Sequence, residues 1–132
     1  MTFAQYVTNV AADTTLVTTA ETVLATLSGI SSQRVGQQVV IEGDFVLLTG
    51  TNTTAVAVRI REDSLTGNVV DELETDTAVG AAGSTDPYRI TAVHSPTGEL
   101  STKTYVMTAS QTGASANGTC VHATLKASLQ PS

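Results

Sequence analysis

The sequence predicts an all-β domain, an antiparallel β-sandwich of jelly-roll type, with an immunoglobulin-like sandwich as the alternative. Three observations lead there. Short runs of alternating apolar and polar residues recur at close spacing, and each is closed by a cluster of Gly, Pro, Asn or Ser. Threonine is the commonest residue and valine is abundant, whereas Lys and Glu are few, which is the composition of pleated, half-buried strands. No segment holds a helical period over a useful length. The chain has no tryptophan and only one cysteine, so the core signature of antibody domains is missing and the jelly roll is preferred.

The two clearest strands lie in residues 38–61. In residues 55–61, Val56, Val58 and Ile60 take one side, while Ala55, Ala57, Arg59 and Arg61 take the other. Residues 39–48 are apolar except at Glu42-Gly43-Asp44, where a Gly-Asp step predicts a bulge or bend. Between them, Thr49-Gly50-Thr51-Asn52-Thr53 has the Gly and Asn that turns use, so the two runs read as the arms of a hairpin. Val39-Val40-Ile41 and the run from Phe45 to Leu48 put apolar residues on both faces of one strand. A sandwich needs only one such face, so a neighbouring subunit is expected on the other.

The remaining elements follow in order. Residues 1–19 form an N-terminal arm ahead of a single sandwich domain over 20–132. Phe3, Tyr6, Val7 and Val10 have the spacing of a helical turn, but the Thr and Asn around them weaken it. Two of the five aromatics sit in this arm and need somewhere to dock. Residues 21–27 read as a strand with Val23, Ala25 and Leu27 on one face, and residues 28–33 as a loop. Val69-Val70 begins a short strand, residues 71–76 form an acidic run, and residues 78–86 form a loop of Gly, Ala and Ser. Residues 88–93 place Tyr88, Ile90 and Ala92 on one face. Residues 103–109 place Tyr105, Met107 and Ala109 on one face, with Thr104, Val106 and Thr108 on the other. The last strand, residues 119–129, reads inward at Val121, Ala123, Leu125, Ala127 and Leu129, and outward at Cys120, His122, Thr124, Lys126 and Ser128.

Composition excludes several functions. At 132 residues the chain makes one domain with a core that needs no disulfide or structural metal. A net charge of −6, with six scattered basic residues, offers no footprint for nucleic acid or an anionic membrane. No run of apolar residues is long enough to span a bilayer, and the N-terminus has no basic region or apolar stretch of a secretory signal, so synthesis in the cytoplasm is expected. Cys120 cannot form an intrachain bridge and reads as a half-buried strand thiol.

Chemical motifs are weak. His94 and His122 are the only histidines, and no G-x-S-x-G elbow surrounds a serine, so no nucleophile, base and orienter stand together and no enzyme is expected. Glu62, Asp63, Asp71, Glu72, Glu74 and Asp76 carry oxygen ligands of the kind calcium takes, but not at the spacing of a calcium loop, and a solvated acidic loop is preferred. Neither a cofactor nor a metal is implied. The N-x-T triplets at Asn52 and Asn117 are attributed to turn chemistry.

One resemblance bears on function. Val93-His94-Ser95-Pro96-Thr97-Gly98, running into Thr102-Lys103-Thr104-Tyr105-Val106-Met107, is similar to the turn and following "T-Y-x-φ" strand (φ apolar) of phage jelly-roll domains, and the alternating last strand adds to it. The chain resembles the decoration (cement) proteins of tailed bacteriophages, related in architecture to trimeric tumour-necrosis-factor-like domains. The resemblance implies a structural virion protein, made in the host cytoplasm, that binds the major capsid protein on the outside of the shell as a homotrimer. Its arm residues Phe3, Tyr6, Val7, Val10, Leu16 and Val17 would be the capsid contacts, and removal of residues 2–14 is expected to leave a folded domain that no longer binds. The alternative is a receptor- or carbohydrate-binding sandwich such as a fibre tip, working through residues 76–86 and 113–118.

Overall fold

The computed structural model describes residues 5–10, 14–15, 20–31, 37–48, 56–74, 85–95, 102–111 and 118–130. They form nine strands: β1 (Gln5–Val10), β2 (Thr14–Thr15), β3 (Thr22–Ser31), β4 (Val39–Leu48), β5 (Val56–Glu62), β6 (Val69–Glu74), β7 (Thr85–His94), β8 (Thr102–Gln111) and β9 (Thr119–Leu129). Sheet A has the order β1-β9-β4-β7, with β2 also on β9, and sheet B has the order β3-β8-β5-β6. All pairings are antiparallel.

The pairings nest. β5 pairs with β6, β4 with β7, β3 with β8 and β1 with β9. A long hairpin folded on itself gives these four pairs, and rolling it up adds the β4–β9 and β5–β8 contacts that complete each sheet. This is the eight-stranded jelly roll, with β2 continuing the β1 edge.

Residues 38–61 are therefore not a hairpin. β4 lies in sheet A and β5 in sheet B, so the segment between them crosses from one layer to the other. Period-2 alternation is the same for two strands that pair and for two strands that face each other across a core, so the pattern cannot tell them apart.

The core lies between the sheets. Ile41, Phe45, Leu47, Val56, Val58, Ile60, Tyr105, Met107, Leu125 and Leu129 are buried there, and the Phe45 and Tyr88 rings stack with centroids 5.7 Å apart. Gly43 is placed by close approach between the layers: a Cβ at this position would run into the Met107 Sδ and crowd Ile90 Cγ2. Gly43 is in register with β7 throughout, so the expected bend at Glu42-Gly43-Asp44 is absent on that side. The irregularity lies against β9, where two steps of β4, Asp44 to Val46, match three of β9, Thr124 to Val121. The extra residue is in β9, and His122 has a left-handed φ of 51°. Gly43→Ala is expected to lower stability by about 1 kcal/mol through overpacking against Met107, read as a lower urea midpoint with an unchanged slope.

The β9 bulge reverses the facing of everything before it. Ala123, Leu125, Ala127 and Leu129 point inward as expected, but Cys120 is the buried residue and Val121 lies on the outer face. Similar irregularities break β3. Its register shifts between Val23 and Ala25 and between Leu27 and Ile30 turn Val23 outward and carry the strand through the Ser28-Gly29 step, with Gly29 at φ 80°. The segment read as a loop from residue 28 is thus strand as far as Ser31. The acidic run is likewise strand as far as Glu74.

The segment read as an arm holds part of the sandwich. Gln5–Val10 is the edge strand of sheet A, in register with β9 from Ser128 to Ala123. Tyr6 packs against the core, and its hydroxyl accepts a hydrogen bond from the Ser31 N–H at 3.3 Å, tying sheet A to sheet B. The aromatic that needed a dock finds it on the chain's own core. Removing residues 2–14 would strip this strand and open the β9 edge, so a folded remainder is no longer the expected result of that deletion.

Candidate functional site: the outward face of sheet A

β4 alternates without a break, with Val39, Ile41, Gly43, Phe45 and Leu47 inward and Val40, Glu42, Asp44, Val46 and Leu48 half-buried on the outer face. The register fixes the neighbours of the outward set. Val40 stands beside Val93 of β7 and Ser128 of β9, Glu42 beside Thr91 and Lys126, Asp44 beside Arg89 and Thr124, and Val46 beside Pro87 and Val121. Val93 is 59% exposed, and Val7 of β1, opposite Lys126, is 55% exposed.

The face thus has an apolar zone at each end and a charged belt between them. The belt is internally neutralised: the Arg89 Nε reaches the Asp44 carboxylate at 2.6 Å and the Lys126 Nζ lies 3.4 Å from Glu42. These pairs are too exposed to stabilise the fold much. They do leave a face without net charge on a chain of net charge −6. Val7, Val40, Ala127, Glu42, Lys126 and Ser128 line a groove of about 200 Å³ at the Val40 end.

Sheet B carries its charges differently. Glu21, just ahead of β3, takes Arg61 through Nε and Nη2 and Arg59 through Nη1, and the Thr108 hydroxyl donates to its Oε2 at 2.8 Å. Arg59 also reaches Glu72 of β6 at 3.1 Å. The Arg61 guanidinium beside Glu21 holds that carboxyl below its ordinary value against the opposing effect of burial. Both arginines span β8, so Val106 and Thr108, on the face of β8 opposite Tyr105 and Met107, are buried beneath this lattice.

A third cluster closes the end of the sandwich near His94. The His94 Nδ1 and the Tyr105 hydroxyl are 2.8 Å apart, and the His94 Nε2 lies 3.5 Å from Glu62 of β5. Lys103 Nζ is 3.1 Å from the same Glu62 oxygen. Burial pushes the Tyr105 phenol well up, and Lys103 helps hold the Glu62 carboxyl down although its burial acts the other way. A phenol so disposed stays protonated and is enclosed, so the cluster ties β5, β7 and β8 together.

Tyr6 is partly buried, Val7 faces outward, and Val10 is the last residue of β1, in register with Ala123. Phe3, Leu16 and Val17 lie outside the described residues, as do the segments offered for glycan or receptor binding, apart from Thr85, Asp86 and Gly118. His122 is exposed at the bulge. Cys120 is buried, and burial alone pushes its thiol up to about 12, which leaves it a poor nucleophile. Among the described residues no group of three or more His, Cys, Asp or Glu is placed to hold a metal ion; Asp76 lies outside them. The sequence reading passed over the Glu21 lattice, whose one signal was Arg59 and Arg61 two residues apart on an outward strand face.

No protein-family model and no curated protein matches the chain. Solved structures do. VP2 of infectious bursal disease virus, in its subviral particle, superposes with a TM-score of 0.64 at 14% identity over 97% of this chain and 33% of VP2. A chain from the structure of the Gx strain of that virus gives a TM-score of 0.64 at 13% identity, over 97% of this chain and 32% of that one. At such identities the likeness is one of fold: this chain is a jelly roll of the kind found in a viral capsid protein, and it spans about a third of the length of the two viral chains it matches.

Proposed function

We propose that the protein is a structural component of a virion that binds the major capsid protein on the outside of a tailed-phage shell and stabilises it, acting as a trimer and without catalysis. The observation that carries this reading is the outward face of sheet A, where Val7, Val40, Val46 and Val93 present apolar surface around a neutralised belt. A monomer gains nothing from such a face, whereas an assembling protein gains about 25 cal/mol for each Å² it covers. The shared fold with VP2 supports the reading. On a shell the protein adds buried area across joints between capsomers, and many weak contacts sum to a large resistance to bursting.

The capsid contact is assigned to the segment ahead of β1, with Phe3 as its anchor. Removal of residues 2–4 leaves β1 intact from Gln5 and is expected to weaken capsid binding about tenfold or more, the worth of one buried aromatic side chain. Co-sedimentation with capsids of the phage tests this; undiminished binding by a shortened chain of unchanged melting temperature refutes it.

A further inference from the structure

The cluster at the His94 end of the sandwich, where β7 of sheet A meets β5 and β8 of sheet B, holds more groups than a simple tie between strands needs. We propose that His94 is a proton-operated latch: with its ring neutral, Lys103 holds Glu62; with its ring protonated, His94 takes over Glu62 and Lys103 passes to Asp63, at the head of the 63–68 turn. Nothing in this latch depends on the capsid reading.

The neutral form is fixed by what stands at each ring nitrogen. The His94 Nε2 lies 3.5 Å from the Glu62 Oε1. A carboxylate has no hydrogen to give, so this nitrogen carries the ring proton. Nδ1 is then the acceptor, and the Tyr105 hydroxyl, 2.8 Å away, donates to it. Burial pushes the Tyr105 phenol well up, so its hydrogen is in place to donate. The two rings meet edge to face with centroids 5.6 Å apart, which holds the imidazole at this angle.

The Glu62 Oε1 is the shared point. Lys103 Nζ stands 3.1 Å from the same oxygen, while the other carboxylate oxygen accepts from the Asn68 Nδ2 at 3.4 Å. Lys103 also has a second carboxylate within reach, the Asp63 Oδ1 at 3.7 Å, whose side chain is 69% exposed. Asp63 opens the turn in the left-handed region, with φ 69°, and its N–H donates to the Thr104 carbonyl at 2.8 Å. The register partner of His94 on β4 is the uncharged Val39. Among the described residues the titratable groups around the ring are therefore Glu62, Asp63, Lys103 and Tyr105.

A proton from solvent changes both sides of the ring, because an imidazolium donates from both nitrogens. Nδ1 no longer accepts, so the Tyr105 hydroxyl turns from donor to acceptor. Nε2 becomes a second cation at the Glu62 Oε1, and the two cations repel at this short range. Lys103, a point charge on a flexible stem, is the one that gives way, toward the solvated Asp63. The turn is then fastened to β8 by a side-chain pair as well as by its backbone bond. Imidazole is the side chain whose ordinary titration falls between about pH 5 and 8. Glu62, held below its ordinary value with the help of Lys103, stays ionised throughout that range.

Melting temperatures of the full chain, of Lys103→Gln, of His94→Gln and of the double variant, each at the two ends of that pH range, test the handover. With the ring neutral, Lys103 is the only cation paired with Glu62 among the described residues. Its loss is therefore expected to lower the melting temperature by about 4 °C more at the upper pH than at the lower. In the His94→Gln background the same substitution is expected to cost the same at both. His122, exposed at the β9 bulge, is present in every chain, so its titration cancels. A second measurement needs no variant: nitrogen-15 NMR of the wild type is expected to place the His94 proton on Nε2 at the upper pH and on both nitrogens at the lower, with the Asp63 carboxyl signal moving in step. A ring proton on Nδ1 at the upper pH, a Lys103→Gln deficit that ignores pH, or a pH dependence that survives His94→Gln overturns the proposal.

Discussion

Leu125→Ala is expected to lower the stability of the domain by about 3 kcal/mol and its melting temperature by about 10 °C. Leu125 has no exposed surface and sits in β9 at the middle of sheet A, paired with Gly43 on one side and Thr8 on the other. Gly43 has no side chain to relax into the space, and Met107, whose Sδ lies over Gly43, is a flexible group able to fill part of it. The loss is therefore a transfer cost plus a remaining cavity. Urea unfolding measures it, and a change below about 1 kcal/mol would show that Met107 collapses fully into the gap.

Glu21→Gln is expected to destabilise by about 2 kcal/mol at neutral pH, because the neutral amide leaves Arg61 and Arg59 without their shared anion. The Glu21 side chain is only 16% exposed, and those of the arginines are 18% and 22% exposed, so solvent screens the group weakly. The difference should depend on pH with a definite sign. Interaction with Arg61 lowers the folded-state pKa of Glu21 below the ordinary 4.5. Its stabilisation is therefore fully present above that value and is lost as the pH falls through the lower folded value. Glu62, also lowered, contributes acid sensitivity in the same direction. Wild type and Glu21→Gln should converge in acid; a gap that stays constant down to low pH would assign the effect to packing instead of charge.

The strands were legible in the sequence wherever a plain alternation ran without interruption. Val56, Val58 and Ile60, or Tyr105, Met107 and Ala109, announce an inward face because side chains of a strand alternate whatever the strand pairs with. The same indifference hid the crossover between β4 and β5. It also hid the reversal at His122, since a histidine in the left-handed region leaves no mark of the kind glycine does, and one extra residue exchanges Cys120 for Val121. Tyr6 was read as an arm residue that docks on a capsid because its place on the chain's own core, near Ser31, is supplied by a strand distant in sequence. The outward face of β4 was foreseen from Val40, Val46 and Leu48, since a run apolar on both faces is visible in one strand. The Glu21 lattice was not, because it joins β3, β5, β6 and β8, and no local pattern connects them.

The position of β9 carries a consequence for how the chain reaches this form. β9 is the last of the nine strands to be synthesised, yet it lies inside sheet A, between β1 and β4. β1 has no partner in sheet A until β9 arrives, and β4 has only β7. Sheet B, whose four strands are all made earlier, can assemble first; the opposite layer is left ajar along a whole strand. Closing it joins the two most distant described segments of the chain, a slow search in which the entropy of a long loop is lost before any contact repays it. During that interval the apolar side of β4 is open to the wrong strand, so high expression at elevated temperature should yield aggregate, and cooler, slower synthesis should yield soluble protein.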